Sequence, residues 1–166
     1  TGGKLGSRSF LAVNPSARKL YAGRGHDARQ AEAAFWVYDI FTDGEVTATD
    51  ERSYPIIPEG SPSEQAGNFL SVCSMALSPD GRKLYIGLSG SPNDERRCLI
   101  TYDLDEKGEP KGKLRAYDFG LAVDSPKILA HPKLPCLYVM PSRASGIFWF
   151  RSTRENRPAR RSRLRF

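Results

Sequence analysis

The sequence predicts an all-β fold built from repeated four-stranded antiparallel sheets. The first observation is a ten-residue phrase that recurs as "NPSARKLYAG", "SPDGRKLYIG" and "HPKLPCLYVM", at residues 14–23, 78–87 and 131–140. The second is that short apolar runs, bounded by Pro, Gly, Asn or Asp, surround each copy. The third is that no window of helical length repeats an apolar residue every three to four positions; "DARQAEAAF" (27–35) comes nearest and is too short.

The copies stay in register well beyond the phrase itself. In the first two copies a Tyr-Asp pair follows the Leu-Tyr pair at the same distance, and a glycine follows in turn. This agreement extends over about 30 residues, which chance composition rarely produces. The aligned residues are Pro15, Pro79 and Pro132; Leu20-Tyr21, Leu84-Tyr85 and Leu137-Tyr138; Tyr38-Asp39 and Tyr102-Asp103; and Gly44 and Gly108.

The first two strands of each unit form a hairpin around the proline of the phrase. The first runs, "FLAV", "MAL" and "KILA", stop shortly before this proline, which cannot donate to a sheet ladder. Pro suits the second position of a type I turn, and Asp and Gly tolerate the backbone angles that follow. The second runs, "KLYAG", "KLYIG" and "CLYVM", contain residues that favour strands.

The third and fourth strands complete each unit as a meander. β-Branched and aromatic residues fill the third runs, "AFWVYDI", "CLITYDL" and "GIFWF". The fourth run is clear as "KLRAYDF" and weaker as "EVTATDE". The third runs are apolar almost throughout, which is typical of a sheet that neighbouring elements cover on both faces.

Four-stranded units at these spacings are the signature of a β-propeller, in which blades stack face to face around a channel. We expect about three blades, at residues 8–56, 70–120 and 125–150, and a solvated connection over residues 51–73. Propellers close with about four to eight blades, so three blades leave apolar faces uncovered. We therefore expect an incomplete propeller, a segment that packs against further blades from the same longer chain or from another copy.

The positive charge lies in a tail rather than in the blades. The net charge is +6, but residues 151–166 hold seven Arg and one Glu, and the remainder has 18 basic and 18 acidic residues. A disordered extension is the expected structure of this tail. Since the blades offer no supporting basic face, nucleic acid is not an expected partner. No apolar run approaches the roughly 18 residues that cross a bilayer, so no membrane partner is expected. The sequence does not distinguish a cytoplasmic from a periplasmic or secreted protein.

Neither a metal nor a cofactor is expected. The three cysteines, Cys73, Cys98 and Cys136, show no C-x-x-C spacing, and their apolar neighbours favour buried thiols over a disulfide framework or a zinc site. Asp94 and Glu95 lie in a polar loop, where adjacent carboxylates are usually solvated. The sequence contains no phosphate-binding loop, H-E-x-x-H or G-x-S-x-G motif.

These repeats resemble the YVTN/lactonase-type β-propeller family. "SPDGRKLYIG" is similar to the repeat phrase of that family, and "PSRASGIFWF" (141–150) resembles its step into the third strand. The resemblance covers residues 10–150. A WD-repeat alternative fits less well, because the third strands end in Tyr-Asp and Gly25-His26 follows a second strand. The resemblance implies either lactone hydrolysis or a non-enzymatic binding role, since the family contains both.

The stretch "YAGRGHDAR" (21–29) carries the candidate active site. It resembles the R-G-H-D/N stretch of phosphogluconolactonase-like propellers, which Arg24, Gly25, His26 and Asp27 match. The resemblance implies that His26 would activate water and that Arg24 would hold the oxyanion or a substrate phosphate. Asp27 would orient the imidazole. The alternative is a solvated turn that contains a histidine.

Other recurring residues favour structural roles. Asn14, Ser78 and His131 precede the turn prolines, and a turn-capping role explains all three better than catalysis by His131 does. The Tyr-Asp pairs recur in two copies. We expect each Tyr to pack between blades and each Asp to accept hydrogen bonds in a turn.

Two functions are consistent with this sequence. The first is a binding or interaction scaffold that holds a protein or a small ligand, such as a sugar lactone, at one end of the blades. The second is a lactone hydrolase of the phosphogluconolactonase type, with Arg24 and His26 at the mouth of the channel. The scaffold is the preferred hypothesis, because a fold alone does not confer activity and a single short motif supports the enzyme.

Overall fold

The predicted all-β architecture is confirmed. The computed structural model describes residues 9–24, 34–56, 71–89, 99–117, 125–140, 147–151 and 162–164, and these form twelve strands without a helix. The strands make three sheets of four, with antiparallel pairing throughout. Nothing in this described part of the chain is a helix of the length and apolarity needed to span a membrane.

Blade one pairs its strands in chain order. They are β1 (Ser9–Asn14), β2 (Lys19–Arg24), β3 (Ala34–Ile40) and β4 (Val46–Pro55). The predicted run "AFWVYDI" is β3 in full. β4 is longer than the sequence pattern indicated, because its pairing with β3 resumes after a register shift and continues to Pro55.

Blade two repeats blade one in detail. Its strands are β5 (Ser71–Leu77), β6 (Lys83–Ser89), β7 (Leu99–Leu104) and β8 (Pro110–Tyr117). The predicted connection over residues 51–73 is therefore shorter at both ends, since β4 and β5 extend into it. The register shift recurs between the third and fourth strands, after Val37 in blade one and after Thr101 in blade two.

The turn between the third and fourth strands also recurs. Gly44 donates to the Phe41 carbonyl over 3.0 Å, and Gly108 donates to the Asp105 carbonyl over the same distance. The φ angles of these glycines are 87° and 76°, a region that L side chains rarely adopt. This requirement explains why glycine stands at both aligned positions.

Blade three draws its last strand from the basic tail. Its strands are β9 (Lys127–Ala130), β10 (Cys136–Met140), β11 (Ile147–Arg151) and β12 (Ser162–Leu164). The sequence predicted a disordered extension over residues 151–166, but β12 pairs with β11, with Ile147 opposite Leu164. The reason is that β11 needs a partner along its outer edge, and its unpaired backbone groups accept a short strand even from a polar segment.

The three sheets stack in chain order, with β1, β5 and β9 side by side. We call the face that packs on the next blade the forward face, and the opposite face the backward face. The forward face of blade one presents Ala12, Tyr21 and Gly23 to Met75 and its neighbours on the backward face of blade two. Blade two likewise meets Ile128 and Val139 of blade three.

Aromatic side chains fill the core between blades one and two. Phe35 is fully buried and stacks on Tyr54 of its own blade, with ring centroids 5.2 Å apart. Tyr102 of blade two contacts the Phe35 ring at 5.1 Å and donates to the Pro55 carbonyl over 2.8 Å. The predicted inter-blade packing is thus confirmed for Tyr102. Burial of each such side chain contributes about 1.5–3 kcal/mol to the free energy of unfolding.

The turn-capping prediction is confirmed in all three blades. Asn14 Oδ1 accepts from the Ala17 amide over 3.3 Å, and Ser78 Oγ accepts from the Lys83 amide over 2.9 Å. His131 Nδ1 accepts from the amides of Lys133 and Leu134 over 3.1 and 2.9 Å. These side chains satisfy backbone donors that the turn leaves unpaired.

Candidate functional site

Of the three predicted catalytic residues, Arg24 lies within the part of the chain that the structure describes. It is the last residue of β2, it pairs in register with Ser9, and its side chain is half-buried. His26 and Asp27 lie outside the described residues. The structure therefore shows that β2 ends at Arg24, the first residue of the "RGHD" stretch.

The topology gives the two ends of the blades different connections. Since the strands alternate in direction, Arg24 lies at the end where the chain leaves β2, β4, β6, β8 and β10. The connections from these strands span residues 25–33, 56–70, 90–98, 118–126 and 141–146. The opposite end has connections of four or five residues, at 15–18, 41–45, 78–82, 105–109 and 131–135, and one of ten residues, at 152–161. We call these the connection end and the turn end.

A network of four charges closes the turn end between blades one and two. The Lys19 ammonium contacts the Asp39 carboxylate and lies 2.6 Å from Glu109 Oε1. Arg52 lies 3.1 Å from each of the same two carboxylates. Tyr54 completes the group by donating to Glu109 Oε2 over 3.2 Å. Two cations and two anions alternate, so the cluster carries no net charge.

The ionisation of this network is fixed by its own contacts. The hydrogen bond from Lys19, stronger than the opposing effect of burial, holds the pKa of Asp39 below its ordinary value. Burial lowers the pKa of Lys19, but the hydrogen bonds to Asp39 and Glu109 outweigh it and raise that pKa overall. Lys19 and Asp39 are therefore both held in their charged forms, which suits a structural contact between the strands better than proton transfer.

Two tyrosines beside the network remain neutral over a wide pH range. Burial raises the pKa of Tyr21 to about 12, and its hydroxyl donates to the Gly108 carbonyl of blade two over 2.7 Å. Burial also raises the pKa of Tyr54, with Glu109 adding to the shift. These hydroxyls act as hydrogen-bond donors that join the blades.

The predicted role of the aspartates in the Tyr-Asp pairs is wrong. Asp39 contacts Lys19, and Asp103 Oδ1 lies 3.2 Å from Lys83 Nζ, whereas the turns are capped by Asp43 and Asp105. The reason is register, because each aspartate stands directly opposite the lysine of the preceding strand. The sequence contained the signal, since Lys and Asp recur at the same spacing in both copies.

The cysteines are half-buried rather than buried, where the structure describes them. Cys73 and Cys136 are reduced thiols, and the Cys73 thiol donates to the Pro126 carbonyl of blade three over 3.3 Å. Cys98 lies outside the described residues. Within the described ranges, no group of three or more His, Cys, Asp or Glu side chains has the geometry of a metal site.

Known protein structures share this fold at low sequence identity. A periplasmic gluconolactonase of Pseudomonas aeruginosa superimposes with a TM-score of 0.62 at 15% identity, over 94% of this chain and 40% of that one. A putative 6-phosphogluconolactonase from Bacteroides uniformis gives 0.55 at 12% identity, over 94% and 55%. A protein from Lactobacillus plantarum gives 0.50 at 15% identity, over 93% and 54%.

These matches establish a β-propeller fold of the kind found in gluconolactonase-like proteins. The chain spans 40 to 55% of the length of the three structures, so it corresponds to an incomplete propeller. No family model matches the sequence, and no curated protein matches it either.

Proposed function

We propose that this chain is a β-propeller segment that acts as a ligand-binding scaffold, with the ligand held at the connection end. The difference between the two ends of the blades supports this most directly. In blades one and two, tight turns and the Lys19 network occupy the turn end, while the longer connections leave from the other end. Rigid sheets that carry longer connections at one edge are a common way to build a binding site, because the loops vary without disturbing the core.

A second candidate function, lactone hydrolysis, is favoured by the position of Arg24. It ends β2 at the connection end, and "RGHD" runs on from it. In this reaction His26 would deprotonate water, Arg24 would stabilise the anionic oxygen, and Asp27 would orient the imidazole. The likeness to a gluconolactonase and the YVTN-type repeat phrase support the same proposal.

One experiment separates the two candidates. The full chain is titrated with glucono-1,5-lactone while its thermal unfolding is followed, and acid release above the spontaneous rate is measured at constant pH. If the chain is a scaffold, the lactone should raise its unfolding temperature without faster acid release, because a ligand that binds the folded state stabilises it. A hydrolase accelerates acid release, and His26→Ala removes most of that acceleration.

The matched control is Arg82→Ala, an exposed side chain at the turn end. It should leave both binding and acid release unchanged. Lactone binding that is lost in Arg82→Ala but kept in Arg24→Ala would contradict the assignment to the connection end. A chain that neither binds nor opens the lactone would remove sugar lactones as its ligand class.

A further inference from the structure

Both interfaces between blades pair small residues with large ones. The forward faces of blades one and two carry Ala12 and Ala76 on their first strands, β1 and β5, each opposite a tyrosine of the second strand. The second strands carry glycine at matching positions. A methyl group on Gly23 would lie 2.6 Å from Val72 Cγ1. One on Gly87 would lie 2.3 Å from Ser74 Oγ of its own blade and 2.9 Å from the Pro126 carbonyl oxygen of blade three. The next blade therefore approaches too closely for a side chain at either position.

The interface of blades one and two adds a polar contact at its turn end. Glu109, in the turn before β8, reaches across to Lys19 in β2 of the preceding blade. The neighbouring Gly108 packs tightly there, since a methyl group on it would lie 2.8 Å from Ala17 Cβ. A forward face of this type therefore offers three features together, an alanine, a glycine and a lysine.

The backward face of blade one repeats the groups that such a forward face accepts. Leu11 and Val13 align with Met75 and Leu77, which pack on the core between blades one and two. In blade one the two side chains are instead 57% and 53% exposed. Glu45, the counterpart of Glu109, is exposed as well.

The turn glycine of blade one is also open on this face. Gly44 is the counterpart of Gly108, but a methyl group on it would meet nothing within 4 Å. The large apolar residues, the turn and the acidic side chain of a backward face are thus all present on blade one.

The forward face of blade three does not match this backward face. Leu129 stands where blades one and two have alanine, and Met140 stands where they have glycine. Cys136 replaces the lysine. Leu129 and Met140 are 67% and 47% exposed. Large residues would meet large residues if one copy of the chain docked head to tail on another, and overpacking of this kind is unfavourable.

We propose that the backward face of blade one, formed by Leu11, Val13, Gly44 and Glu45, binds a further propeller blade with alanine, glycine and lysine at the positions of Ala12, Gly23 and Lys19. The partner is therefore a blade of the same type as blades one and two, and not the blade-three face of a second copy. This surface is distinct from the connection end, so the proposal does not depend on which ligand that end binds.

A fusion with an added blade tests the proposal. Residues 1–70 are placed ahead of residues 7–166, so that the native connection joins an added blade one to the complete stack. Leu11→Cys in the second copy reports exposure through its rate of alkylation, measured on the peptide that contains it. We expect alkylation to be at least about tenfold slower than in the unfused Leu11→Cys chain, because it would require opening of the new interface.

The matched control changes the added blade alone. Ala12→Leu with Gly23→Met gives its forward face the character of blade three, and alkylation should return to the rate of the unfused chain. Equal rates in the two fusions, whether both slow or both fast, would overturn the proposal.

A second measurement avoids the blade that carries Ala12→Leu and Gly23→Met. Glu45→Gln in the second copy and Lys19→Met in the added blade are combined in a double-mutant cycle on the unfolding of the fusion. Non-additive effects support the contact between them, and additive effects contradict it.

Self-association is distinguished in the unfused Leu11→Cys chain. There the introduced thiol should be alkylated at a rate that does not depend on protein concentration. Protection of this thiol that rises with protein concentration and disappears when Leu129→Asp is added would identify a second copy as the occupant and overturn the proposal.

Discussion

Lys19 Nζ and Glu109 Oε1 lie 2.6 Å apart and join the second strand of blade one to a turn of blade two. The Lys19 side chain is 8% exposed, so its charge depends on carboxylates rather than on water for stabilisation. The turn of blade two, closed by the hydrogen bonds from Gly108 to Asp105 and from Asp105 to Glu109, holds Glu109 beside the preceding sheet. It fixes the spacing of the blades at the turn end.

Glu109→Gln is expected to destabilise the chain by about 1–3 kcal/mol, because it weakens charge-assisted bonds to Lys19 and Arg52 and leaves Lys19 partly uncompensated. Urea unfolding measures the change. The control is Glu106→Gln in the same turn, an exposed side chain 3.9 Å from Arg82. Exposed pairs contribute little, so the control should change stability by less than about 0.5 kcal/mol. Equal effects of the two substitutions would contradict the inference that Glu109 holds the two blades together through Lys19 and Arg52.

Asp39 predicts a loss of stability in acid. Its pKa is lowered in the folded chain, chiefly by Lys19, from an ordinary value of 3.8. The unfolded chain therefore takes up this proton at higher pH than the folded chain does. The stabilisation is complete above about pH 4 and declines as the pH falls through the folded pKa. As the pH falls from about 7 to 2, the urea midpoint should decline less steeply in Asp39→Asn than in the unaltered chain. High salt should reduce this difference. Parallel profiles of the two chains would show that Asp39 does not contribute to the loss of stability in acid.

Tyr21 and Tyr102 predict a loss of stability in alkali. Burial raises the pKa of both to about 12, from 10.0. The unfolded chain releases these protons near pH 10 and the folded chain near pH 12, so stability is full below about pH 10 and declines towards pH 12. Phenolate absorbance should show a class of tyrosines that titrates late. Tyr21→Phe and Tyr102→Phe should each reduce that class, and an unchanged late phase in both would be inconsistent with these contacts.

Gly23→Ala predicts a steric penalty at the interface of the blades. The added methyl would lie 2.6 Å from Val72 Cγ1 and 2.7 Å from Met75 Sδ, and overpacking of this size costs about 1–3 kcal/mol. Val72→Ala should relieve part of the penalty, so the double variant should be more stable than the sum of the single effects predicts. Additive effects in urea unfolding would show that the two positions do not compete for space.

Much of the fold could be predicted because its signals are local. Proline and glycine mark the ends of hairpins, and β-branched and aromatic residues fill the strands between them. The capping roles of Asn14, Ser78 and His131 followed from the same short-range chemistry. Of the predicted catalytic residues, the structure positions Arg24 alone, so the roles of Arg24, His26 and Asp27 remain predictions.

The differences between prediction and structure arise where pairing decides. β4 runs on to Pro55 because β3 offers it a partner, although the residues of β4 are mostly polar. β12 forms in a basic segment for the same reason. The pairing of Asp39 with Lys19 depends on strand register, because a shift of one residue would place the two side chains on opposite faces of the sheet.

The sequence by itself determined the repeat, the strand boundaries near each turn and the incomplete set of blades, because these depend on residues close together in the chain. Only the tertiary structure decided which face of each sheet meets which neighbour. It placed Glu109 against Lys19, left Leu11 and Val13 exposed, and set Leu129 and Met140 on a face unlike those of the other blades. Such contacts join residues far apart in the chain, and they follow from the spacing of whole sheets rather than from any local pattern.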